Sequence, residues 1–184
     1  CSERFKKQGL RTSAFINSKS ATFGPWSIND GLCTLEMHRD LGITVQAKHL
    51  WATGLIDDVV IGNAYASDNE LKALGELDTY QLELEIEFFD GVSEIEKHIL
   101  LNEKHIRRGD ISEYMIRSTE VRKKHVNSDI SKRDYDTQNV GDVVIGNNNF
   151  GKYKGETQIV IKEMPLDERK NRVAKVVSEE IFLL

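Results

Sequence analysis

The spacing of apolar residues changes character near residue 78, and that change commits the chain to two dissimilar parts. Over residues 10–77 short apolar runs alternate with longer helical stretches, the signature of successive βα units feeding a parallel sheet. The first unit is predicted as a strand over 12–16, a long loop through Gly24-Pro25 and Asn29-Asp30-Gly31, and a helix over 34–51. The second is predicted as a strand over 58–61, a turn at Gly62-Asn63-Ala64 and a helix over 68–77. Ser67 and Glu70 fit a capping box at the start of that last helix.

After Asp78 the period drops to two. Tyr80, Leu82, Leu84, Ile86 and Phe88 alternate with Gln81, Glu83, Glu85 and Glu87, which predicts a half-buried strand with one apolar and one acidic face. Further strands are predicted over 95–101, 113–118, 142–145, 157–162 and 173–184. Half a dozen strands in that length suggest a small closed or nearly closed barrel. The organisation is therefore α/β over residues 1–78 and β over 79–184. Two βα units cannot close a parallel barrel, so the first part reads as the tail of a larger domain.

The 25 Lys plus Arg are set against 30 Asp plus Glu, a formal charge of -5 that argues against general nucleic-acid binding. No apolar run approaches the roughly 20 residues of a bilayer span, so no membrane insertion is expected. Cys1 and Cys33 form neither a CxxC pair nor a metal set, and read as reduced thiols. The chain opens on Cys1, and residues 2–9 read as the end of an amphipathic helix stopping at Gly9, as though the chain begins inside a structure. A lipid-anchored protein, acylated on Cys1, is the rival reading.

Several motifs invite chemistry. Gly146-Asn147-Asn148-Asn149-Phe150-Gly151-Lys152 matches seven positions of a P-loop, but Tyr153 stands where a Ser or Thr must ligate magnesium. A hairpin connection is expected there instead, with Gly and Asn supplying positive φ. Glu36, His38 and Arg39 follow a loop that leaves the C-terminal end of a parallel strand, the end that carries catalytic loops in barrels. Together they can supply an acid, a hydrogen-bond donor and an anion clamp. Equally, Glu36 and Arg39, three apart on a helix, can form a surface pair beside a half-exposed His38. Arg107, Arg108, Asp110, Arg117, Ser118 and Arg122, with Arg133 farther on, make a polar cluster suited to a phosphate or carboxylate, or else a solvated charged face.

Gly24-Pro25, the run from Gly31 to Arg39, Ile56-Asp57-Asp58-Val59-Val60-Ile61-Gly62, Arg117-Ser118, and Gly141 to Ile145 with Tyr153-Lys154-Gly155-Glu156 resemble, in order and approximate spacing, the bacterial 6-phospho-N-acetylmuramidases. The resemblance implies the last two βα units of a TIM barrel followed by a small cyclophilin-like β-barrel, in the C-terminal half of a cytoplasmic enzyme. That enzyme cleaves glycosidic bonds of N-acetylmuramic acid 6-phosphate-containing disaccharides during peptidoglycan recycling. It implies no metal and no organic cofactor, a phosphorylated amino-sugar as substrate, and association with the missing barrel half or with a second copy.

Carried over residue by residue, it makes Glu36 the catalytic candidate and His38, Arg39, Asn63, Arg117, Ser118, Asn147, Lys152, Tyr153 and Glu156 the substrate-binding candidates. The chain departs from the family pattern at Cys33 (a proline there), Asn63 and Gly146 (aspartates) and Lys152 (an arginine). Two of these departures remove carboxylates, and a fragment of this kind is expected to be inactive alone. A non-catalytic module that binds a phosphosugar or peptide is the alternative function.

Overall fold

The computed structural model describes residues 1–24, 31–110 and 112–184, so Pro25, Asn29 and Asp30 of the predicted loop lie outside the described residues. The fold is mixed α/β with a mostly antiparallel sheet. It divides into two compact units, Cys1–Glu83 with Leu183, and Leu84–Phe182 with Leu184.

Unit one contains α1 (Ser2–Lys6), β1 (Ser13–Ile16), a 3-10 turn (Glu36–His38), α2 (Ile43–Ala52), β2 (Asp58–Ile61) and α3 (Asp68–Gly75). β1 and β2 pair in parallel, from Ser13 opposite Asp58 to Ile16 opposite Ile61. Ala14 and Ile16 point to one side of β1 and pack on Ile43, Ala47 and Leu50, which recur along one face of α2. The predicted helix over 34–51 is interrupted: Gly42, in an extended conformation, caps α2 and separates it from the 3-10 turn. The capping box of α3 is present, Ser67 accepting from the Glu70 amide while the Glu70 carboxylate accepts from the Ser67 amide.

Unit two contains β3 (Ile86–Phe88), α4 (Glu94–Asn102), β4 (Met115–Ser118), β5 (Thr137–Gln138), β6 (Asp142–Gly146), β7 (Thr157–Val160), β8 (Met164–Pro165) and β9 (Lys170–Val176). Five strands form one antiparallel sheet in the order β3-β9-β6-β7-β4, and β5 pairs separately with β8. Every residue of β6 is buried. One core cluster gathers Ile99, Val121, Ile130, Ile145 and Val173; a second gathers Val143, Ala174 and Val176 with Ile86 and Ile159.

Three expectations for this unit are corrected. The strand predicted over 95–101 is helix α4. Ser93 and Glu96 make a second capping box, and Ile95, Ile99 and Leu100, four and five apart, turn one face to the core. Of the alternating run from Tyr80 to Phe88, only Ile86–Phe88 is strand, and Tyr80 is fully exposed. The ladder ends with Ile86 opposite Val176; the Val177 amide still donates to the Glu85 carbonyl, but the Glu85 amide is taken by the Glu180 carboxylate. The strand predicted over 173–184 instead begins at Lys170 and ends at Val176.

Unit two is tied together by Glu96, 1% exposed. Its Oε2 accepts from the amide and hydroxyl of Ser93 at 2.9 and 2.7 Å. Its Oε1 accepts from Arg133 at 3.0 Å and from Asn171 Nδ2 at 2.8 Å. Truncating one partner of a buried ion pair strands the other charge, at a cost of about 3–5 kcal/mol. Glu96→Ala is therefore expected to lower the unfolding free energy by about that amount in urea titrations followed by circular dichroism. A midpoint unchanged from the parent chain would contradict this.

Candidate functional site

In unit one the C-terminal ends of β1 and β2 are held by side-chain amides acting as backbone clamps. Gln46 on α2 accepts from the Asn17 amide at 2.8 Å and donates to the Asn17 and Leu41 carbonyls at 3.0 and 2.9 Å. Asn63, just after β2, accepts from the Ser18 amide at 2.9 Å and donates to the Ser18 carbonyl at 2.8 Å. An aspartate, which the resemblance leads one to expect at this position, lacks the donor and would set a carboxylate against that carbonyl. Asn63 is thus a clamp between strand ends.

Glu70 reaches the same edge. Its carboxylate accepts from the hydroxyls of Ser18, Ser20 and Ser67 and from the Lys19 and Ser67 amides. Burial alone would raise its pKa, but the bonds from Ser20, the Ser67 amide and Ser18 outweigh that and lower it to about 2. Asp57, before β2, is likewise lowered to about 2, first by Lys6 at 2.5 Å and then by the Thr12 amide at 2.8 Å.

Glu36, His38 and Arg39 do not converge. Arg39 grips Glu36 with two bonds, Nε to Oε1 at 2.5 Å and a terminal nitrogen to Oε2 at 2.7 Å. The Glu36 side chain is 77% exposed, and Arg39 holds its carboxyl below the usual range. It is ionised at neutral pH, as an electrostatic stabiliser needs and a general acid does not. His38, expected half exposed, is fully buried, with Nε2 2.7 Å from His49 Nδ1. Burial lowers the pKa of both rings, and for His38 the neighbouring His49 adds to it. The pair is a neutral link between the 3-10 turn and α2. Nothing in the apolar spacing pointed to His49.

In unit two the candidates gather around β4, β7 and the β6–β7 connection. Arg117 lies directly opposite Gln158, and Ser118 opposite Thr157. Glu156, immediately before β7, accepts from Gln158 Nε2 at 2.8 Å. Arg117 pairs with Asp110, which also holds Arg108 at 2.7 Å, and the Ser118 hydroxyl accepts from the Ile106 amide at 3.3 Å. Arg133 stands apart, bound to Glu96. Among the described residues, Arg117 Nε, Arg122 Nε, Glu156 Oε2, Thr157 Oγ1 and Gln158 Oε1 are enclosed without a hydrogen-bond partner. Such groups are costly, so their concentration on two neighbouring strands and the adjoining turn marks a polar centre that packing alone does not require. Gln158 was missed in the sequence because a lone glutamine in a strand carries no motif.

The segment resembling a P-loop is a 3-10 turn, Asn148–Tyr153, linking antiparallel strands; positive φ there falls on Gly151 and Gly155, and none on asparagine. Asn147 caps it, accepting from the Asn149 amide at 3.0 Å, and donates to Asn171 Oδ1 at 3.0 Å. Gly146 permits close approach: a Cβ there would lie 2.5 Å from the Tyr153 carbonyl oxygen and 2.6 Å from the Phe150 ring. The aspartate expected from the resemblance at this position does not fit beside the turn as it stands here. On the turn, the Tyr153 ring has the Arg122 guanidinium 4.8 Å and Lys152 Nζ 5.1 Å from its centroid. Among the described residues no three metal-ligating side chains cluster, and no helix is long and apolar enough to cross a membrane.

Two mutational outcomes follow. Asn63→Asp should destabilise unit one by about 1–3 kcal/mol, through a lost donor and an unmatched carbonyl, measured by urea unfolding with tryptophan fluorescence. Asp57 and Glu70 have folded pKa values near 2, below those of ordinary carboxyls. Their contribution is full above the unfolded pKa of about 4 and is lost as pH falls through about 2. Stability should therefore decline through that window, and the decline should flatten in an Asp57→Asn, Glu70→Gln double variant; an unaltered acid slope would rule out this assignment.

Comparison with known families gives two matches. The model described as 6-phospho-N-acetylmuramidase, N-terminal, matches residues 1–76, and the one described as 6-phospho-N-acetylmuramidase, C-terminal, matches residues 82–184. Among solved structures, an uncharacterized B. cereus protein is 64% identical with a TM-score of 0.95, over 100% of this chain and 53% of its own. A conserved protein of unknown function from Enterococcus faecalis is 28% identical with a TM-score of 0.68, over 99% of this chain and 48% of its own. The chain spans about half the length of these structures. No curated protein matches.

Proposed function

Since the chain belongs to the 6-phospho-N-acetylmuramidase family, we propose that it forms part of a glycosidase acting on N-acetylmuramic acid 6-phosphate-containing disaccharides in cytoplasmic peptidoglycan recycling. The observation that carries this reading is that the two family models, placed end to end, take up nearly the whole chain. In the proposal, unit one supplies the last two βα units of a TIM barrel and unit two is a cyclophilin-like domain.

The chemistry assigned to each residue follows from its setting. Cleavage of a glycosidic bond through an oxocarbenium-like state needs one carboxylic acid to protonate the leaving oxygen and one ionised carboxylate to support the positive charge. Glu36, exposed and kept ionised by Arg39, suits the second role. Asn63 and the buried His38 act by holding the strand ends and the 3-10 turn in place, and Arg39 by orienting Glu36. In unit two, Arg117, Ser118, Lys152, Tyr153 and Glu156 contact the phosphorylated amino-sugar, and Asn147 shapes the turn that presents Lys152 and Tyr153. The parallel sheet of unit one has two strands among the described residues, whereas a barrel site collects groups from several strand ends. Binding without turnover is the expected behaviour of this chain alone.

Calorimetric titration with N-acetylmuramic acid 6-phosphate and with the unphosphorylated sugar tests the proposal. The phosphorylated form should bind at least about ten-fold more tightly, roughly 1.4 kcal/mol, with no sugar released from a disaccharide substrate. Equal affinities for the two sugars would sink the phosphosugar reading. Turnover by the chain alone would sink the division of labour.

A further inference from the structure

Many cations of unit two have a carboxylate neighbour, in places two cations to one acid. Most sit on a carboxylate: Arg108 and Arg117 on Asp110, Lys123 on Glu120, Lys124 on Glu103, Arg133 on Glu96, Arg172 on Asp142. The contrast is sharpest on the 3-10 turn Asn148–Tyr153, whose two rings, Phe150 and Tyr153, lie 5.4 Å apart. Phe150 has Arg169 at 5.1 Å and Lys170 at 5.9 Å, but both are paired with Asp167, at 2.8 and 3.5 Å. Tyr153 has Arg122 and Lys152, and neither forms an ion pair among the described residues. The acid nearest Arg122 along the chain, Glu120, is taken by Lys123 at 2.5 Å.

Arg122 is also preorganised. One terminal nitrogen donates to the Lys152 carbonyl at 2.5 Å, and its Nε is enclosed, so the guanidinium is fixed against the turn that carries the second cation. A guanidinium fixed on an aromatic face, with an ammonium on the same ring, offers fork-like donors and a point charge to one anion. In a chain of net charge -5, two unpaired cations on one ring are a local reversal of the field.

We infer that Arg122 and Lys152, gathered on Tyr153, form the clamp that grips a phosphate monoester, with Arg122 as the specificity-determining residue. This rests on the phosphosugar reading for the identity of the natural ligand, but the clamp's own chemistry requires only a phosphate dianion. Arg117, the arginine of the family motif, shares Asp110 with Arg108 and so contributes to the sugar site less directly than the clamp.

Titration of the whole chain with inorganic phosphate, N-acetylglucosamine 6-phosphate and N-acetylglucosamine, in the parent and in Arg122→Gln, Arg122→Lys and Lys152→Gln, tests this. Lys152→Gln leaves every backbone contact of the turn intact and is the variant that will fold if any does. Each Gln variant should weaken both phosphates by about ten-fold or more, with Arg122→Lys losing less than Arg122→Gln, and the parent's affinity should fall with added salt. The unphosphorylated sugar should not respond. Phosphate affinity unchanged in both Gln variants, or no phosphate binding by the parent, overturns the clamp. If muramic acid 6-phosphate shows phosphate-dependent binding that both variants retain, the phosphosugar reading stands and the clamp falls. If the variants lose phosphate binding while the muramic sugar gains nothing over glucosamine 6-phosphate, the clamp stands and the muramic reading falls.

Discussion

The geometry of unit two depends on one buried carboxylate. Glu96 satisfies the N-terminus of α4 with one oxygen and holds Arg133 and Asn171 with the other. Asn171, on β9, then spends its own oxygen on the Arg133 amide and on Asn147 Nδ2. Asn147 uses its remaining oxygen to cap the turn that presents Lys152 and Tyr153. A charge is expensive to bury, and it is tolerated here because four donors surround it. The same requirement fixes the helix, the strand and the surface turn relative to one another within the unit. The polar network therefore acts as a jig: it sets where the exposed cations stand while touching none of them.

Unit one achieves comparable positioning with neutral amides. Gln46 and Asn63 each copy a backbone hydrogen-bonding pattern at a strand end, and a side-chain amide can do this because it carries both a donor and an acceptor. That accounts for Asn63 where the resemblance leads one to expect a carboxylate: here the position is used for structure. Gly146 is the parallel case in unit two, where the close approach of Tyr153 and Phe150 leaves no room for a side chain. Two departures that look like lost chemistry in the sequence are, in the fold, positions occupied by backbone contacts.

What was legible in the sequence follows from the range of the forces involved. β2 was predicted at its observed bounds, and α3 with its capping box, because the β-branched run Val59-Val60-Ile61 before Gly62 and a Ser-x-x-Glu box are local signals. The run from Tyr80 was overread because alternation reports a tendency to extend but not whether a partner backbone is present, and β9 provides partners only for its last three residues. Residues 95–101 were misread because Ile95, Ile99 and Leu100 satisfy a helix as readily as a strand, and the deciding Ser93–Glu96 box was seen only at α3. At the candidate site, the Glu36–Arg39 pair was visible at spacing three, while the burial of His38 against His49 and the alignment of Arg117 with Gln158 are tertiary facts without a local trace.

The contrast among the cations of unit two bears on how an acidic chain can hold an anion. Burying an arginine to meet a phosphate would require a permanent counter-charge in the empty state, as Arg133 has in the buried Glu96, whereas the partly exposed Arg117 shares Asp110 with Arg108. Stacking the guanidinium on a tyrosine ring avoids that cost, since the ring's negative face steadies the cation without discharging it. The guanidinium is fixed at its inner edge by the Lys152 carbonyl. On this argument the aromatic residue at 153 is what allows Arg122 and Lys152 to remain unpaired, and a carboxylate placed there would neutralise them.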